Sequence, residues 1–173
     1  LITSNGIPAS TVSDWKGNPK RLIYMSSPDR GLIYLLDYWP EIRRRVPDAE
    51  LHIFYGFEVF DVLHQNNPAK MIWKEKIIKM MKQEGITYHN RVSHKQLEKE
   101  INLSGIWAYP CNFEEISCIS AMKAQAAGAI PVVTNYAALM ETVKNGLKVD
   151  VDITTKEGQV NYINALTELM EDP

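Results

Sequence analysis

The sequence has little that would direct the chain to a membrane, a nucleic acid or an oxidising compartment. No apolar run approaches the roughly 20 residues of a membrane-spanning helix. The net charge is -2, whereas a nucleic-acid-binding surface is usually basic. The two cysteines, Cys111 and Cys118, are too few for a disulfide framework and fit no zinc pattern. We therefore expect a cytoplasmic protein with no nucleic-acid partner and no transmembrane segment.

Two common phosphate-binding fingerprints are missing as well. The sequence contains no GxxxxGK[ST] loop and no GxGxxG turn, so neither an ordinary P-loop nor a dinucleotide site is indicated. It has no internal repeat and no low-complexity tract. The composition is that of a globular domain, because 45% of the 173 residues are hydrophobic and 23% are charged. A chain of this size can bury a substantial core.

Short apolar runs alternate with longer amphipathic runs from Arg21 onward. The pattern predicts strands at residues 22–25, 50–55, 86–89, 105–109 and 130–134. It predicts helices at residues 32–46, 68–84, 93–103, 115–127, 137–144 and 155–171. Gly85, Gly128 and Gly146 are predicted to end three of these helices. Strands that alternate with helices form right-handed crossovers, so we expect an α/β fold: a Rossmann-like, doubly wound parallel sheet with helices on both faces.

The start of the chain indicates how it is organised. It begins at Leu1 without an initiator methionine or a signal-like segment, and we expect it to continue a longer protein. Residues 1–20 are polar and rich in turn-forming residues, so they are interpreted as a lead-in or linker. Residues 21–173 are then interpreted as the folded domain.

The loop after the most buried-looking strand is the strongest candidate for a binding site. In such sheets ligands lie beyond the carboxyl ends of the strands. The segment 109–120 joins that strand to a helix of small residues, predicted to start at Glu115. The amides of a helix N-terminus suit a phosphate, and Ser117 or Ser120 would add a hydroxyl donor. The alternative is that Glu114 and Glu115 only favour the first helical turn.

Two further groups follow strand ends. Arg30, in the turn 26–31, has the planar fork of donors that suits a phosphate, although it is equally typical of an exposed turn. His89, Arg91 and His94 surround the end of another strand, but a lone histidine is more often structural. The two histidines lack a third ligand, so no metal site is predicted.

Taken in order, these segments resemble the C-terminal, donor-binding domain of the group 1 family of retaining glycosyltransferases, which have the GT-B fold. The resemblance spans about residues 4–148, and no single motif in it is decisive. The matching segments are Asn5-Gly6-Ile7, Ser27-Pro28-Asp29-Arg30-Gly31 for the family's S-P-E-K-G, Pro47 to Gly56, His89-Asn90-Arg91-Val92-Ser93 for its H-G-R-V-S, Glu115 to Pro131 for its E-x7-E helix, and Asn135 to Glu141.

The resemblance implies roles for particular residues. Glu115, as the first acid of E-x7-E, would contact hydroxyls of the donor sugar. Arg30 would neutralise the diphosphate and stabilise the leaving nucleotide, so Arg30 and Glu115 are the expected catalytic residues. The amides of Cys118 and Ile119 would hold the diphosphate. The full donor-binding set implied in this way is Ser27, Arg30, Gly31, Arg91, Val92, Glu115, Ser117, Cys118, Ile119 and Lys123, with the backbone of Arg91 and Val92 at the edge of the base.

The sequence departs from the family at two positions. Lys123 replaces the second acid of E-x7-E, which in the family binds the ribose hydroxyls, and a lysine cannot accept a hydrogen bond from a hydroxyl. Met25 or Ser26 occupies the place of an arginine that often precedes the S-P-E-K-G turn. The Asn90 exchange is milder, because asparagine tolerates the left-handed conformation.

The resemblance also implies the partners. The donor would be a UDP- or GDP-sugar, and the acceptor, a glycan, lipid or protein, stays open. No cofactor and no metal are expected, because the positive groups would belong to the protein itself. The acceptor would bind the protein's own N-terminal domain, which is absent from this sequence, so the fragment is expected not to turn over alone. Any peripheral membrane contact is also assigned to that missing domain.

Two other interpretations were considered. Lys123 favours a non-catalytic nucleotide-sugar sensor or scaffold, in which donor recognition is altered or lost. A flavodoxin-like regulatory domain would need an acidic phosphoacceptor pocket at the end of the first strand. The Ser26-Ser27 pair does not supply one.

Overall fold

A single parallel sheet organises the part of the chain that the computed structural model describes, residues 6–7 and 17–172. The six strands found there are β1 (Asn18–Tyr24), β2 (Glu50–Phe54), β3 (Ile86–Asn90), β4 (Ser104–Tyr109), β5 (Ile130–Thr134) and β6 (Leu147–Val149). All neighbouring strands are parallel, in the order β3-β2-β1-β4-β5-β6. This is the strand order of Rossmann folds, so the predicted fold class is confirmed.

Helices cover both faces of this sheet. They are α1 (Leu32–Arg45), α2 (Glu58–His64), α3 (Pro68–Met80), α4 (His94–Leu103), α5 (Ile119–Ala126), α6 (Leu139–Thr142) and α7 (Lys156–Glu171). Helix α1 contacts α3 and α7, whereas α5 contacts α4 and α6, which gives one layer on each face. The sheet is therefore buried on both sides, as parallel sheets usually are.

The core lies along the two central strands. Leu22, Ile23 and Tyr24 of β1 are fully buried, and so is every residue of β4. The rings of Trp107 and Tyr109 stack with their centroids 4.9 Å apart. Burial on this scale stabilises the fold by about 25 cal/mol for each Å² of apolar surface removed from water. It also fixes where the loops that follow β1 and β4 begin.

Helix α1 contains a proline, and a side chain from elsewhere replaces the hydrogen bond that the proline cannot make. Pro40 has no N–H, so the carbonyl of Leu36, four residues earlier, lacks its usual helical partner. The side chain of Gln83 donates to that carbonyl from Nε2 at 2.9 Å. The segment between α3 and β3 thus restores the missing hydrogen bond, and α1 continues to Arg45.

Several predicted boundaries were wrong. Helix α2 and strand β6 were not predicted, and α3 ends at Met80 rather than at residue 84. Helix α5 begins at Ile119, four residues later than predicted, which leaves Glu115 in the preceding loop. Gly146 ends no helix, because α6 stops at Thr142. It lies instead where a Cβ would be only 2.6 Å from the carbonyl oxygen of Pro131.

Other sequence signals were correct. Gly128 adopts φ 86° after α5, and its N–H donates to the carbonyl of Gln125. Ser93 caps α4, since its hydroxyl accepts from the amide of Gln96 at 3.2 Å. Strand β1 already begins at Asn18, inside the predicted lead-in. Most of that lead-in, residues 1–5 and 8–16, lies outside the described residues, and so does Asn5 of the resemblance.

Candidate functional site

The candidate site lies where the sheet reverses its strand order. The chain builds outward from β1 to β2 and β3 on one side, and from β4 to β5 and β6 on the other. The loops after β1 and β4 therefore turn to opposite faces and leave a crevice between them, which is where ligands bind in such sheets. These two loops, residues 25–31 and 110–118, carry most of the residues proposed from the sequence.

An ion pair joins the two loops. Arg30 Nη1 donates to Glu115 Oε1 at 2.9 Å. The Arg30 guanidinium also lies over the ring of Phe113, 4.2 Å from its centroid. The electron-rich face of the ring attracts the positive charge. The Glu115 side chain is only 9% exposed and that of Arg30 33%. The arginine and the glutamate proposed as catalytic are thus brought together, although 85 positions separate them in the sequence.

A buried tyrosine holds the Glu115 carboxylate in place. Tyr109 Oη donates to the same Glu115 oxygen at 2.7 Å and lies 3.2 Å from Ser26 Oγ. Burial raises the pKa of Tyr109 well above its usual value, so its hydroxyl remains a donor. Partial burial opposes the charge of Arg30, but the Glu115 carboxylate outweighs it and holds the guanidinium pKa above its usual value. The Arg30 guanidinium is therefore protonated across the physiological range.

Gly31 allows the two loops to touch. Its φ is 104°, and a Cβ built on it would lie 2.0 Å from the carbonyl oxygen of Pro110. Only glycine meets both conditions, because it has no Cβ and tolerates positive φ. The preceding turn is closed by the amide of Arg30, which donates to the carbonyl of Ser27 at 3.0 Å. That carbonyl also accepts from Tyr24 Oη, so Ser27 shapes the loop through its backbone.

The N-terminus of α5 borders the same crevice. Cys118 is its N-cap residue, and its side chain accepts no cap hydrogen bond. Burial raises the pKa of the Cys118 thiol to about 11, although hydrogen bonds from the backbone amides of Ala121 and Ser120 act to lower it. Ser120 Oγ donates to the carbonyl of Met25 at 3.4 Å and ties the helix start to the end of β1. Ser117 lies half-buried in the loop just before the helix.

A cleft of about 240 Å³ opens on the other side of this helix start. Its lining residues are Met25, Phe54, Tyr55, Arg91, Val92, His94, Leu97, Ile119, Ser120 and Lys123. Lys123 Nζ lies 3.4 Å from Nδ1 of His94, whose ring nitrogen accepts in that geometry when unprotonated. The charged residues of the lining are thus cations, which suits an anionic ligand.

The sequence of the chain matches a known protein family. The sequence profile of the family described as "Glycosyl transferases group 1" matches residues 10–173. The chain belongs to the group 1 glycosyltransferase family. A search of curated proteins by sequence gave no match.

Several solved structures have the same fold. A mutant of S. aureus TarM, solved with fondaparinux, α-GlcNAc-glycerol and UDP, superposes with a TM-score of 0.72 at 13% identity, over 99% of this chain and 32% of TarM. The pneumococcal O-GlcNAc transferase GtfA, solved with UDP and GlcNAc, gives 0.64 at 15% identity over 90% of this chain and 30% of GtfA. Sucrose-phosphate synthase from Thermosynechococcus elongatus gives 0.66 at 16% identity, over 96% and 38%. This glycosyltransferase chain therefore spans about a third of the length of these proteins.

The residues implied by the family resemblance fall into two groups around the start of α5. Ser27, Arg30, Gly31 and Glu115 form the ion-paired junction of the two loops, with Ser117 and Cys118 following in the same loop. Arg91, Val92, Ile119 and Lys123 line the cleft. The two groups do not share one pocket, since neither Arg30 nor Glu115 is among the residues that line the cleft. The amides of Cys118 and Ile119 lie at their boundary.

Three aromatic residues of the candidate site were missed in the sequence analysis. Tyr109 holds Glu115, Phe113 supports Arg30, and Tyr55 lines the cleft. Tyr109 ends a strand of uniformly apolar residues, which indicated only burial. Phe113 lies in a loop, where an aromatic residue carries no periodic signal. Tyr55 was predicted as the last residue of the second strand, which indicated no ligand contact, whereas β2 ends at Phe54.

The described part of the chain shows neither a metal-binding cluster nor a membrane-spanning helix. Within residues 6–7 and 17–172, no group of three or more His, Cys, Asp or Glu side chains is arranged to hold a metal ion. Among the same residues, no helix is both long and apolar enough to cross a bilayer.

Proposed function

We propose that this chain is the donor-binding domain of a retaining GT-B glycosyltransferase, which moves a sugar from a nucleoside diphosphate sugar to an acceptor hydroxyl. The observation that carries the proposal is the Arg30–Glu115 pair, which lies at the strand-order reversal and next to the start of α5. Its cation, its carboxylate and the neighbouring amides are the three groups that a diphosphate joined to a sugar would need. UDP in the structures of TarM and GtfA supports a nucleotide donor.

Arg30 would act on the leaving group. As the bond between the anomeric carbon and the diphosphate breaks, negative charge grows on the phosphate oxygens. A guanidinium that is two-thirds buried and the first-turn amides of α5 would stabilise that charge more strongly than water does. We propose that these fixed groups do the work without a metal ion or other cofactor.

Glu115 would orient the sugar. Both hydrogen bonds found for its carboxylate within the described chain end on Oε1, from Arg30 and from Tyr109. This leaves Oε2 to accept from a sugar hydroxyl. Since Oε1 is held from two directions, the carboxylate is already oriented before the sugar arrives, which lowers the entropy lost on binding.

Calorimetric titration of the chain with UDP-, GDP- and ADP-sugars tests the proposal. We expect one of these donors to bind, and we expect Glu115→Ala to weaken its binding by about tenfold, the loss of one charge-assisted hydrogen bond. Glu114→Ala is the matched control, because Glu114 is exposed and adjacent in sequence. If no donor binds, or if both alanine variants bind like the original chain, the proposal fails.

The acceptor and the stereochemistry are further parts of the proposal. We propose that the acceptor binds a preceding domain, so that residues 1–173 bind donor without transferring sugar. Measurable transfer to a glycan or lipid acceptor by this chain alone would contradict that division. For the longer protein, proton NMR of the first product formed would show whether the anomeric configuration is retained.

A non-catalytic nucleotide-sugar sensor is the second candidate. The observation that favours it is Lys123, which lines the cleft and contacts His94 at the position where the family has its second acid. A sensor would bind donor and show no transfer even in the full-length protein. Donor hydrolysis or transfer by that protein would eliminate this candidate.

A further inference from the structure

Tyr55 has a backbone conformation that tyrosine rarely adopts. It follows β2 directly, and its φ is 118°. Positive φ in a bulky residue is a strained outlier. The conformation is held from the neighbouring strand, because the N–H of Tyr55 donates to the carbonyl of Asn90 at 3.2 Å. Asn90 itself has φ 57°, so the backbone has positive φ at the ends of both β2 and β3.

Burial of the ring does not explain why a tyrosine occupies this position. Tyr55 is 41% exposed, whereas the residue before it, Phe54, is 2% exposed and stacks on His89 with the ring centroids 4.3 Å apart. Phe54 therefore belongs to the hydrophobic core, whereas the ring of Tyr55 is partly exposed to solvent. A glycine would fit the same backbone without strain. Strain that persists without a packing gain indicates a binding role.

The exposed ring lies in the cleft beside the start of α5. Tyr55 lines it together with Arg91 and Val92 of the loop after β3 and with Ile119, the first residue of α5. The charged residues that line the cleft, Arg91 and Lys123, are cations. An aromatic face next to cations suits a nucleobase that is attached to phosphates.

We propose that Tyr55 is the stacking platform for the nucleobase of the donor, an inference that rests on the proposed nucleotide-sugar function. The unusual backbone turns the side chain out of the sheet edge and into the cleft, where the ring contacts one face of the base. Because every base has such a face, Tyr55 contributes affinity for the nucleoside portion as a whole. Base identity is left to groups at the edge of the ring system, including the backbone near Arg91.

The test compares Tyr55→Gly and Tyr55→Phe with the original chain. Calorimetry measures binding of UDP and of inorganic pyrophosphate, and thermal unfolding gives Tm. We expect Tyr55→Gly to weaken UDP by about tenfold or more, the loss of one base-stacking contact. Its pyrophosphate affinity should stay within about twofold, and its Tm should not fall, because glycine relieves the positive φ. Tyr55→Phe should retain UDP binding within about twofold.

The matched control is Tyr136→Ala, which removes a tyrosine of similar exposure that lies in the loop after β5, outside the cleft. It should bind UDP like the original chain. The inference is overturned if Tyr55→Gly keeps its UDP affinity, if it loses pyrophosphate equally, or if Tyr55→Phe behaves like Tyr55→Gly. If the original chain binds pyrophosphate but no nucleoside diphosphate, both the inference and the proposed function are wrong. If it binds UDP and Tyr55→Gly does too, only the inference fails.

Discussion

Arg30 and Glu115 neutralise each other across the crevice between β1 and β4, with Nη1 and Oε1 2.9 Å apart. The cation that the proposal assigns to the diphosphate is thus already occupied in the structure. A bound diphosphate must either share Arg30 with the carboxylate or draw it away. The carboxylate keeps its second donor, Tyr109, in both cases.

Glu115→Gln separates these two roles. The amide oxygen can still accept from Tyr109, but the charge that opposes Arg30 is gone, so UDP should bind equally well or up to about fivefold more tightly. A UDP-sugar should lose its advantage over UDP, because the neutral amide accepts more weakly from the sugar hydroxyls. Calorimetry at two salt concentrations measures both ligands. Glu114→Gln is the control, and an unchanged ratio of the two affinities would contradict the assignment.

Gly31→Ala should destabilise the fold and the site together. The new methyl would lie 2.0 Å from the carbonyl oxygen of Pro110, and alanine disfavours φ 104°. We expect the free energy of unfolding to fall by about 2–4 kcal/mol in urea denaturation. Gly6→Ala is the control, because no atom of the described residues lies within 4 Å of its added Cβ. A loss below about 0.5 kcal/mol at Gly31 would show that the loops can separate freely.

The central part of the sheet could be predicted from the sequence, because β4, β5 and the end of β1 are buried on both faces and are nearly continuous apolar runs. Helix α2 was missed although Val59, Val62 and Leu63 have the helical spacing i, i+3, i+4, because the element has only seven residues and its pattern is too short to distinguish from a loop. Strand β6 has only three residues, two of them exposed, which is too short for a pattern. Elements that pack weakly leave weak signals.

The site was predictable only in part. The family resemblance identified Arg30 and Glu115, but their contact depends on how two loops fold against each other around Gly31. The start of α5 was misplaced because acidic residues at 114 and 115 resemble a first helical turn. The positive φ of Tyr55 could not be anticipated, because tyrosine is not a residue that signals such a conformation.

A histidine pair should make stability fall in mild acid. His52 Nδ1 lies 2.9 Å from His89 Nε2 and 3.1 Å from Nη2 of Arg21. Burial lowers the pKa of both histidines, and the Arg21 charge adds to it, although Glu50 beside His52 and Glu100 near His89 oppose the shift. The unfolded chain therefore binds more protons than the folded one below about pH 6.5.

The contribution of the histidine pair should be fully present near pH 7.5 and decline as the pH falls through the lowered folded-state pKa values. We expect part of the unfolding free energy to be lost between pH 7 and pH 5, because the unfolded chain takes up the protons that the buried imidazoles resist. Urea denaturation at several pH values measures it. His52→Gln removes one member of the pair, so its stability should depend less on pH in this window. Identical pH dependence in the two proteins would show that the histidines are not responsible.

Lys123→Glu should restore recognition of the ribose. Lys123 lines the cleft at the second acidic position of the family motif, where its ammonium group can donate to a hydroxyl but cannot accept. In the original chain, UDP and 2′-deoxy-UDP should therefore bind with affinities within about twofold. A carboxylate at this position would accept from the 2′-hydroxyl, so Lys123→Glu should prefer UDP over the deoxy form by about tenfold.

The exchange at Lys123 also changes the charge of the cleft by two units, which by itself weakens any anion. Lys99→Glu is the matched control, because Lys99 is exposed on α4, is not among the residues that line the cleft, and makes the same change in net charge. A loss of affinity common to UDP and 2′-deoxy-UDP would report charge alone, whereas only a contact with the hydroxyl separates the two ligands. If Lys123→Glu fails to separate them, the ribose lies elsewhere, and Lys123 must hold a different part of the donor.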